Sequence, residues 1–476
     1  MMQTELFIGG QWRSASDGAT FPIIDPSTEE SIAEVSSATV DDVIDAVEIA
    51  DAAGKEWALR APRERAEILR KCWELLVSRK DDIVEYIVRE NGKAMPDAVG
   101  EASYAIEFFR WYSEEAVRNY GEILESPVGG NKIVVLQQPI GVSVLVTPWN
   151  YPAAMATRKI APAIAAGCPV ILKPASDTPL TALLVADILS EAGVPPGVMN
   201  VIPSRRSGEV VSAMLHHPAV RKLSFTGSTE VGRGLLKEAA DCIVNCSMEL
   251  GGNAPFLVFD DADVDSAVAG AMIAKMRNGG EACTAANRFY AHKSVYAEFA
   301  DKFSAAMEAF KVGAGFEPGV QLGPMINEWA IKDIDTLVQD ATRKGSEVLT
   351  GGAPLDRKGY YYPPTVLGNV PAEANILREE VFGPVAPIVS FSDDDEAIHL
   401  ANDTEYGLVS YLYTQNVGRG MAISERLDAG MIGLNRGLVS DPAAPFGGSK
   451  QSGLGREGSH EGMMEYMEKK YIAVTW

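Results

Sequence analysis

The chain has 476 residues, which is too long for one hydrophobic core and predicts roughly two to four structural units. Hydrophobic residues make up 46% of it and charged residues 22%, a composition that is typical of packed globular proteins and argues against a disordered chain. The 42 basic and 65 acidic residues give a net charge of −23, which disfavours nucleic acids and anionic membrane surfaces as partners.

The start of the chain shows no targeting segment. Residues 1–6 lack the basic region and the apolar stretch of a secretory signal, and no run approaches the ~18 apolar residues of a membrane-spanning helix. The five cysteines are few, odd in number and not spaced as a disulfide framework or a metal site, so they favour a reducing compartment. We therefore expect a cytoplasmic protein that binds neither nucleic acid nor membrane and holds no metal ion.

Residues 41–120 predict a layer of helices. Apolar residues recur there at three- and four-residue spacing over 63–90 and over 98–120, and Pro or Gly residues bound these segments. Residues 132–138 then form a short β-like run that ends at Pro139 and stands apart from the segments after it.

From residue 141 onward, short apolar runs alternate with helical patterns. The predicted strands, each paired with the helix after it, are 142–146 and 154–166, 170–172 and 180–192, 199–202 and 208–215, and 223–225 and 229–240. Such alternation predicts a parallel sheet covered by helices on both faces, with ligands at the carboxyl ends of its strands. The pattern resumes at 256–259 and continues through 431–434, which predicts a second α/β unit.

The turn after the predicted strand at 223–225 is a candidate phosphate site. Gly227 and Ser228 could bring backbone N–H groups and a helix N-terminus to a diphosphate. However, the segment lacks the middle glycine of G-x-G-x-x-G, and Arg233 stands where a P-loop requires Lys. Taken alone, this segment leaves a dinucleotide site and a plain tight turn equally open.

Cys283 and Glu249 are candidates for a nucleophile and a base. Cys283 comes after a glycine pair and a helical segment, which places its thiol on a bend near helix ends. A lone cysteine is usually an inert core residue unless a neighbour lowers its pKa or acts as a base. Glu249 lies between an apolar run and Gly251-Gly252, where partial burial would raise the carboxyl pKa toward that of a general base. A helix-capping or salt-bridged Glu is the alternative.

Four motifs together make the sequence resemble the aldehyde dehydrogenase superfamily over essentially the whole chain. They are Thr147 to Pro152 (TPWNYP), Met248 to Gly252 (MELGG), the Gly-rich segment around Cys283, and Glu379 to Pro384 (EEVFGP). The resemblance implies an α/β fold with a Rossmann-like cofactor domain, a second α/β catalytic domain and a small β arm for oligomerisation.

The same resemblance implies a division of the chain. It assigns 1–120 and 140–250 to an NAD(P)-binding domain, 251–456 to a catalytic domain with the nucleophilic cysteine, and 121–139 with 457–476 to the oligomerisation arm. Strands of such an arm extend a neighbour's sheet, which implies a homodimer or a homotetramer.

The resemblance also implies a covalent mechanism. Cys283 attacks the aldehyde carbon, and the Asn150 amide and the Cys283 backbone N–H bind the oxyanion. The thiohemiacetal passes hydride to the nicotinamide, and Glu249 activates the water that hydrolyses the resulting thioester. The residues that would bind the coenzyme are Trp149, Lys173, Ser176, Gly227, Ser228, Leu250, Glu380 and Phe382.

The position of Ser176 bears on which coenzyme is used. Family members that are strict for NAD tend to carry an acidic residue three positions after the lysine that corresponds to Lys173. A hydroxyl there accommodates a 2′-phosphate, whereas a carboxylate would repel it. We therefore expect NADP as the preferred coenzyme and NAD as a second one, although Asp177 lies next to this position.

Within the family, the chain is most similar to the succinate-semialdehyde dehydrogenases, in segments 156–159 and 435–442 and at Arg277. That subfamily holds the distal carboxylate of its substrate with two arginines and a serine, which match Arg158, Arg277 and Ser440. The resemblance thus implies oxidation of succinic semialdehyde, with glutaric semialdehyde or an aromatic aldehyde as alternatives. Both arginines could instead pair with the many acidic residues of this chain.

Two other classes of function would use the same residues. A cysteine hydrolase would also form a thioester on Cys283, but it needs a positioned histidine, and none of the five histidines stands in a recognisable Cys/His signature. A non-catalytic binding protein would keep the fold without the chemistry. The presence of Cys283, Glu249 and Asn150 together argues against it.

Overall fold

The structure is a computed structural model that describes residues 2–475. Its α-helices in chain order are α1 Val40–Leu59, α2 Pro62–Ser78, α3 Lys80–Asn91, α4 Met95–Glu115, α5 Pro152–Ala166, α6 Leu180–Glu191, α7 Ser207–Leu215, α8 Thr229–Cys242, α9 Val264–Met276, α10 Tyr296–Glu308, α11 Glu328–Arg343, α12 Asp394–Asn402, α13 Val417–Ser424 and α14 Glu461–Met464.

Its β-strands in chain order are β1 Leu6–Ile8, β2 Gln11–Arg13, β3 Thr20–Asp25, β4 Glu30–Ser36, β5 Glu122–Glu125, β6 Lys132–Pro139, β7 Val142–Val146, β8 Val170–Lys173, β9 Met199–Val201, β10 Val220–Thr226, β11 Asn245–Glu249, β12 Ala254–Val258, β13 Ala286–His292, β14 Glu347–Thr350, β15 Thr365–Gly368, β16 Val385–Phe391, β17 Tyr406–Gly407, β18 Val409–Tyr413, β19 Met431–Leu434, β20 Ser449–Lys450, β21 Gly453–Leu454 and β22 Met467–Val474.

An eight-stranded sheet carries the first set of predicted strands, in the order β2-β1-β9-β8-β7-β10-β11-β21. Its five central strands pair in parallel, and β1 and β21 add to them antiparallel. The strands β7, β8 and β9 are almost wholly buried, because helices cover both faces of a parallel sheet. β21 joins this sheet although the chain reaches it only after the second sheet.

The parallel register brings three strand ends together at one edge of this sheet. Thr226 at the end of β10 pairs with Glu249 at the end of β11, and Phe225 pairs with Val146 at the end of β7. Three connecting segments therefore leave the sheet side by side, namely 147–152, 226–229 and 249–252. This is the edge at which parallel α/β sheets bind ligands.

A seven-stranded sheet in the order β14-β15-β16-β13-β12-β18-β19 forms the second α/β unit. All neighbours pair in parallel except β14 with β15, which is antiparallel. Phe256, Phe289, Phe299 and Phe303 pack together beside the sheet with ring centroids about 5–6.5 Å apart. Cys283 lies in the segment that leads from α9 into the central strand β13.

A third, three-stranded antiparallel sheet in the order β22-β6-β5 contains the β-like run predicted at 132–138. It joins residues from the first third of the chain to residues near its end, since β6 pairs with β22 along its whole length. Ile123 and Tyr471 on this sheet are 69% and 58% exposed, so part of its apolar surface faces outward.

The helical layer differs from the prediction at Arg79, where the 63–90 segment breaks into α2 and α3. Arg79 has φ −107° and ψ 21°, and its guanidinium bonds Asp82 at 3.1 Å and Asp187 at 3.0 Å. No Gly or Pro marks the break, so the periodicity does not reveal it. The next helix, α4, ends at Glu115 and not at 120, and the strands β1 to β4 had no counterpart in the prediction. Among the described helices, none has the length and hydropathy that crossing a bilayer requires.

Candidate active site

A cleft of about 900 Å³, part of it open to solvent, lies at the carboxyl-end edge of the first sheet. Of the residues that the sequence predicted for the site, the cleft is lined by Trp149, Asn150, Arg158, Gly227, Ser228, Leu250, Arg277, Cys283, Glu380, Phe382 and Ser440. The remaining three, Glu249, Lys173 and Ser176, lie outside this lining. Both α/β units contribute, so residues that are far apart in sequence meet here.

Cys283 lies half-buried in the cleft wall, after a strained turn. Asn278, Gly279 and Gly280 have φ of 55°, 61° and 80°, and a Cβ at Gly280 would lie 2.2 Å from the Gly383 carbonyl oxygen. The glycine is therefore required by the close approach of the two backbones. Burial raises the pKa of the Cys283 thiol to about 12, so the thiol is protonated at neutral pH in this state.

The charged neighbours of Cys283 act on its pKa in both directions. The guanidinium groups of Arg158 and Arg277 lower the thiol pKa, and the carboxyl groups of Glu249 and Glu380 raise it, while burial remains the largest effect. A negative charge lost from this site or a positive charge added to it therefore favours the thiolate.

Asn150 is fixed by hydrogen bonds to its side chain and to its backbone. Its Nδ2 donates to the backbone carbonyl of Glu281 at 3.0 Å. Its own carbonyl accepts from the Lys93 Nζ at 2.8 Å and from the Asn278 Nδ2 at 3.0 Å. The other N–H of Nδ2 makes no hydrogen bond within residues 2–475, and Asn150 lines the cleft, which suits a donor to an oxyanion.

The ammonium of Lys93 is itself held by the carboxylate of Glu101, 2.5 Å away, and both side chains are buried. The other oxygen of Glu101 accepts from the backbone N–H groups of Ala153 and Ala154, in the first turn of α5. One buried ion pair thus caps α5 and holds the carbonyl of Asn150, just before that helix begins.

Glu249 is buried close to the cleft but not in its wall. Its two carboxyl oxygens have no hydrogen-bond partner within residues 2–475, and a Cβ at Gly447 would lie 2.9 Å from Oε1. Burial first, and then the charge of Glu457, raises the pKa of Glu249 well above its usual value, against the opposing effects of Arg158 and Lys159. The side chain must turn toward the cleft before it can accept a proton from water there.

Arg277 and Ser440 meet in the cleft. The Arg277 Nη2 donates to the Ser440 Oγ at 3.3 Å and to the Thr284 Oγ1 at 3.2 Å. Its guanidinium carbon lies 5.5 Å from the centre of the Tyr151 ring. Because its hydrogen bonds here go to neutral hydroxyls, its positive charge stays available to an anionic ligand.

Arg158 also lines the cleft, but a carboxylate already contacts it. Its Nε lies 2.5 Å from Glu457 Oε2, and its guanidinium stacks over Phe446 at 4.2 Å. Lys159 forms a second ion pair with Glu457, also at 2.5 Å. Two cations therefore share one anion, and the group keeps a net positive charge as long as Glu249 is protonated.

The opposite part of the cleft fits a dinucleotide. Gly227 and Ser228 precede α8, and the Ser228 Oγ caps this helix by accepting from the Val231 N–H at 3.4 Å. A helix N-terminus of this kind favours phosphate groups. Trp149 and Phe382 face each other edge to face at 5.5 Å, which leaves flat apolar walls for a ring.

Glu380 lies at the same end of the cleft. Its Oε1 accepts from the Gly252 N–H at 3.1 Å, and a Cβ at Gly251 would lie 2.9 Å from its Oε2. Gly251 is thus required for the carboxyl to sit here. Burial raises the pKa of Glu380 to about 7, partly offset by the Gly252 N–H and Lys275. A carboxylate held in this way can accept from ribose hydroxyls.

Lys173 and Ser176 lie beyond this end of the cleft, where β8 ends beside β7. Burial lowers the pKa of Lys173 to about 8, and Asp177 opposes this. The Ser176 Oγ donates to the Ser204 carbonyl at 3.0 Å, which leaves its oxygen free to accept.

The sequence model of the Aldehyde dehydrogenase family matches residues 12–472. The chain belongs to the aldehyde dehydrogenase family. The succinate-semialdehyde dehydrogenase of Paenarthrobacter nicotinovorans is 52% identical over 444 residues, 93% of this chain and 99% of that protein. The glutarate-semialdehyde dehydrogenase of Pseudomonas putida is 44% identical, and the NADP(+) succinate-semialdehyde dehydrogenase of Escherichia coli is 43% identical. Each of these two matches covers 100% of this chain and 98% of the relative.

A crystal structure of succinate-semialdehyde dehydrogenase from Burkholderia pseudomallei superposes with a TM-score of 0.98 at 45% identity. The match covers 100% of this chain and 98% of that one. The α/β fold of the aldehyde dehydrogenases, which the sequence motifs predicted, is thereby confirmed.

Several residues that line the cleft were not predicted. The additional lining residues are Tyr104, Pro148, Tyr151, Met155, Thr226, Gly251, Ala282, Thr284 and Phe446. Tyr151 and Gly251 stand inside two of the four family motifs, so their place in the motif was a usable signal. Tyr104 gives no such signal, because it reads as one more apolar position of a helix. Glu457 contacts Arg158 but is far from it in the sequence and lies in none of the four motifs.

Glu281, two residues before Cys283, does not add a charge at the thiol. Its Oε1 accepts from the Ile326 N–H at 3.2 Å, and burial raises its pKa to about 8. The carboxyl is thus held away from the cleft wall and is mainly neutral at neutral pH.

Proposed function

We propose that this aldehyde dehydrogenase oxidises succinic semialdehyde to succinate, with NADP as the preferred coenzyme and NAD as a second one. The observation that carries the proposal is that Arg158, Arg277 and Ser440 line the same cleft as Cys283. A charge-assisted hydrogen bond contributes about 1.5–3 kcal/mol, so two arginines favour an aldehyde with a distal carboxylate over a neutral one by orders of magnitude. The named relatives are dehydrogenases of two such semialdehydes.

In the proposed mechanism, the Cys283 thiol first loses its proton to water, and the thiolate attacks the aldehyde carbon. The Asn150 amide and the Cys283 backbone N–H bind the oxyanion. When bound, NAD(P) supplies the hydride acceptor that turns the thiohemiacetal into a thioester. Glu249 then turns into the cleft and removes a proton from the water that hydrolyses the thioester. Leaving its buried position lowers the pKa of Glu249, because burial is the main cause of its rise.

The coenzyme-binding residues have proposed roles that agree with their positions. Gly227 and Ser228 would hold the diphosphate at the start of α8, and Lys173 with Ser176 would bind the adenosine ribose and its 2′-phosphate. Glu380 would hold the nicotinamide ribose. The flanking apolar side chains are Trp149, Leu250 and Phe382.

We also propose the division into 1–120 with 140–250, 251–456, and 121–139 with 457–476. The three-stranded sheet, which joins β5 and β6 to β22, supports the third part as an oligomerisation arm. Its exposed Ile123 and Tyr471 support contact with a second copy, in a homodimer or a homotetramer. A cytoplasmic location is supported by the five cysteines, none of which forms a disulfide within residues 2–475.

The test is to mix the protein with succinic semialdehyde and either coenzyme and to follow absorbance near 340 nm. Glutaric semialdehyde, benzaldehyde and pentanal are the comparison substrates. The proposal expects the highest kcat/KM with succinic semialdehyde and NADP. A higher kcat/KM with benzaldehyde than with succinic semialdehyde would overturn the assigned substrate. A higher kcat/KM with glutaric semialdehyde would make glutaric semialdehyde the assigned substrate instead. Thioester or ester hydrolysis without any coenzyme-dependent activity would favour a cysteine hydrolase. The absence of any activity would favour a non-catalytic binding protein.

A further inference from the structure

Two tyrosine hydroxyls in the cleft wall have no partner. Tyr104 comes from α4, and Tyr151 directly follows Asn150, yet both line the cleft that contains Cys283. The oxygen atoms of both hydroxyls are enclosed, and within residues 2–475 neither makes a well-aligned hydrogen bond, although the Arg158 guanidinium lies close to the Tyr104 hydroxyl. Tyr151 as a whole is only 9% exposed.

Buried hydroxyls are rarely left unpaired, because losing water without gaining another partner costs free energy. Phe at either position would keep the apolar contacts, such as the edge-to-face packing of Tyr104 on Phe108 at 4.8 Å, and would avoid that cost. Two unpaired hydroxyls in one cleft therefore point to a ligand that pairs with them.

The surroundings of the hydroxyls indicate the charge of that ligand. The guanidinium of Arg277 lies 5.5 Å from the centre of the Tyr151 ring. Burial raises the pKa of Tyr104, and the nearby guanidinium groups of Arg158 and Arg277 lower it. The Tyr104 hydroxyl and the Tyr151 ring thus lie beside cations that the proposed function assigns to the substrate carboxylate.

We propose that the hydroxyls of Tyr104 and Tyr151 donate hydrogen bonds to the distal carboxylate of the semialdehyde, beside Arg158, Arg277 and Ser440. This inference rests on the proposed function and adds two neutral donors to it. A carboxylate has about four acceptor sites, more than the charged groups fill when Glu457 already occupies one side of Arg158. The tyrosines act in binding and specificity and do not take part in the chemical step.

The test compares Tyr104→Phe and Tyr151→Phe with the wild-type enzyme. Each variant is assayed with succinic semialdehyde and with pentanal, which keeps an aliphatic chain but has no carboxylate. We expect each variant to raise KM for succinic semialdehyde by about tenfold or more, since a hydrogen bond to a charged group is lost, with little change in kcat. For pentanal, kcat/KM should stay within about twofold.

Tyr112→Phe is the matched control. Tyr112 lies on the same helix α4, and its buried hydroxyl also has no partner among residues 2–475, but it lies outside the cleft lining. This variant measures the effect of removing a buried hydroxyl without touching the site. It should leave the KM for both substrates unchanged.

The outcomes separate this inference from the proposed function. If the wild-type enzyme prefers succinic semialdehyde to pentanal and both variants keep the full preference, the inference is overturned and the proposed function stands. Equal losses with both substrates would also overturn it, since they indicate a structural role. A wild-type enzyme without any preference would overturn the proposed function itself and the inference with it.

Discussion

The side-chain amide of Asn150 donates to the backbone carbonyl of Glu281 at 3.0 Å, two residues before Cys283. Asn150 comes after a strand of the first sheet, and Glu281 leads into a strand of the second. One hydrogen bond therefore links the two α/β units beside Cys283 and Asn150, the proposed nucleophile and oxyanion donor. It also fixes the orientation of the amide, since only Nδ2 can donate to a carbonyl.

Asn150→Ala should lower kcat by about a hundredfold to a thousandfold, the usual effect of losing one oxyanion donor. KM for the coenzyme should stay unchanged, because the amide acts in the transition state. Steady-state kinetics with both coenzymes measure this. A loss that appears only in KM would contradict the assigned role of Asn150.

Lys93→Met should lower both stability and kcat. It leaves the carboxylate of Glu101 buried and unpaired, which costs about 3–5 kcal/mol in the free energy of unfolding. It also removes the donor to the Asn150 carbonyl, and the misplaced amide should cost about tenfold or more in kcat.

The double variant Lys93→Met with Glu101→Gln separates these two effects. A neutral Gln removes the unpaired charge and can still accept from the first turn of α5, so much of the stability should return. Met cannot donate to Asn150, so kcat should stay low. Recovery of kcat together with stability would show that the ion pair is only structural.

The sequence predicted the parts of this fold that obey a local rule. The alternation of strands and helices from residue 141 onward matches β7 to β10 and α5 to α8, because buried parallel strands are continuous apolar runs bounded by turns, whereas β11 was not among the predicted strands. The break at Arg79 was missed, since neither Gly nor Pro stands there and the ion pair of Arg79 with Asp187 is a tertiary contact. No local pattern encodes such contacts.

The same limit applies to the candidate site. Cys283, Asn150 and Glu380 were recognised because they stand in short motifs, and the structure brings all three into one cleft. Glu457 was missed because its ion pair with Arg158 joins segments that no motif links. The buried position of Glu249, outside the cleft wall, depends on how its side chain packs and could not be predicted from the sequence.

Arg277→Ala should raise KM for succinic semialdehyde by about tenfold to a hundredfold, because it removes a cation that donates to Ser440 and faces the cleft. For pentanal, kcat/KM should change far less. Ser440→Ala is the neutral comparison and should give a smaller effect of the same kind. Equal losses for both substrates would refute the carboxylate anchor.

Ser176→Glu should reverse the coenzyme preference. A carboxylate near Lys173 would repel the 2′-phosphate of NADP, which should lower kcat/KM for NADP by about a hundredfold and leave that for NAD within a few-fold. Ser176→Ala removes the hydrogen bond to the Ser204 carbonyl without adding charge. If Ser176→Ala shifts the preference as strongly, repulsion is not the cause, and a wild-type preference for NAD would contradict the assignment of NADP.

The reactivity of Cys283 should rise steadily with pH in the coenzyme-free enzyme. The thiolate is the nucleophile, and burial raises the thiol pKa to about 12, so the thiolate fraction grows about tenfold per pH unit below that value. The rate of alkylation by iodoacetamide should therefore increase from about pH 6 to about pH 9 without a plateau.

The Cys283→Ala variant supplies the background from the exposed Cys242 and the other cysteines. Glu380→Gln removes a carboxylate that is charged above its own pKa of about 7 and raises the thiol pKa, so it should speed alkylation, whereas Arg277→Ala removes a cation that lowers the thiol pKa and should slow alkylation. A plateau below pH 8, or the opposite order of the two variants, would contradict this electrostatic account of the thiol.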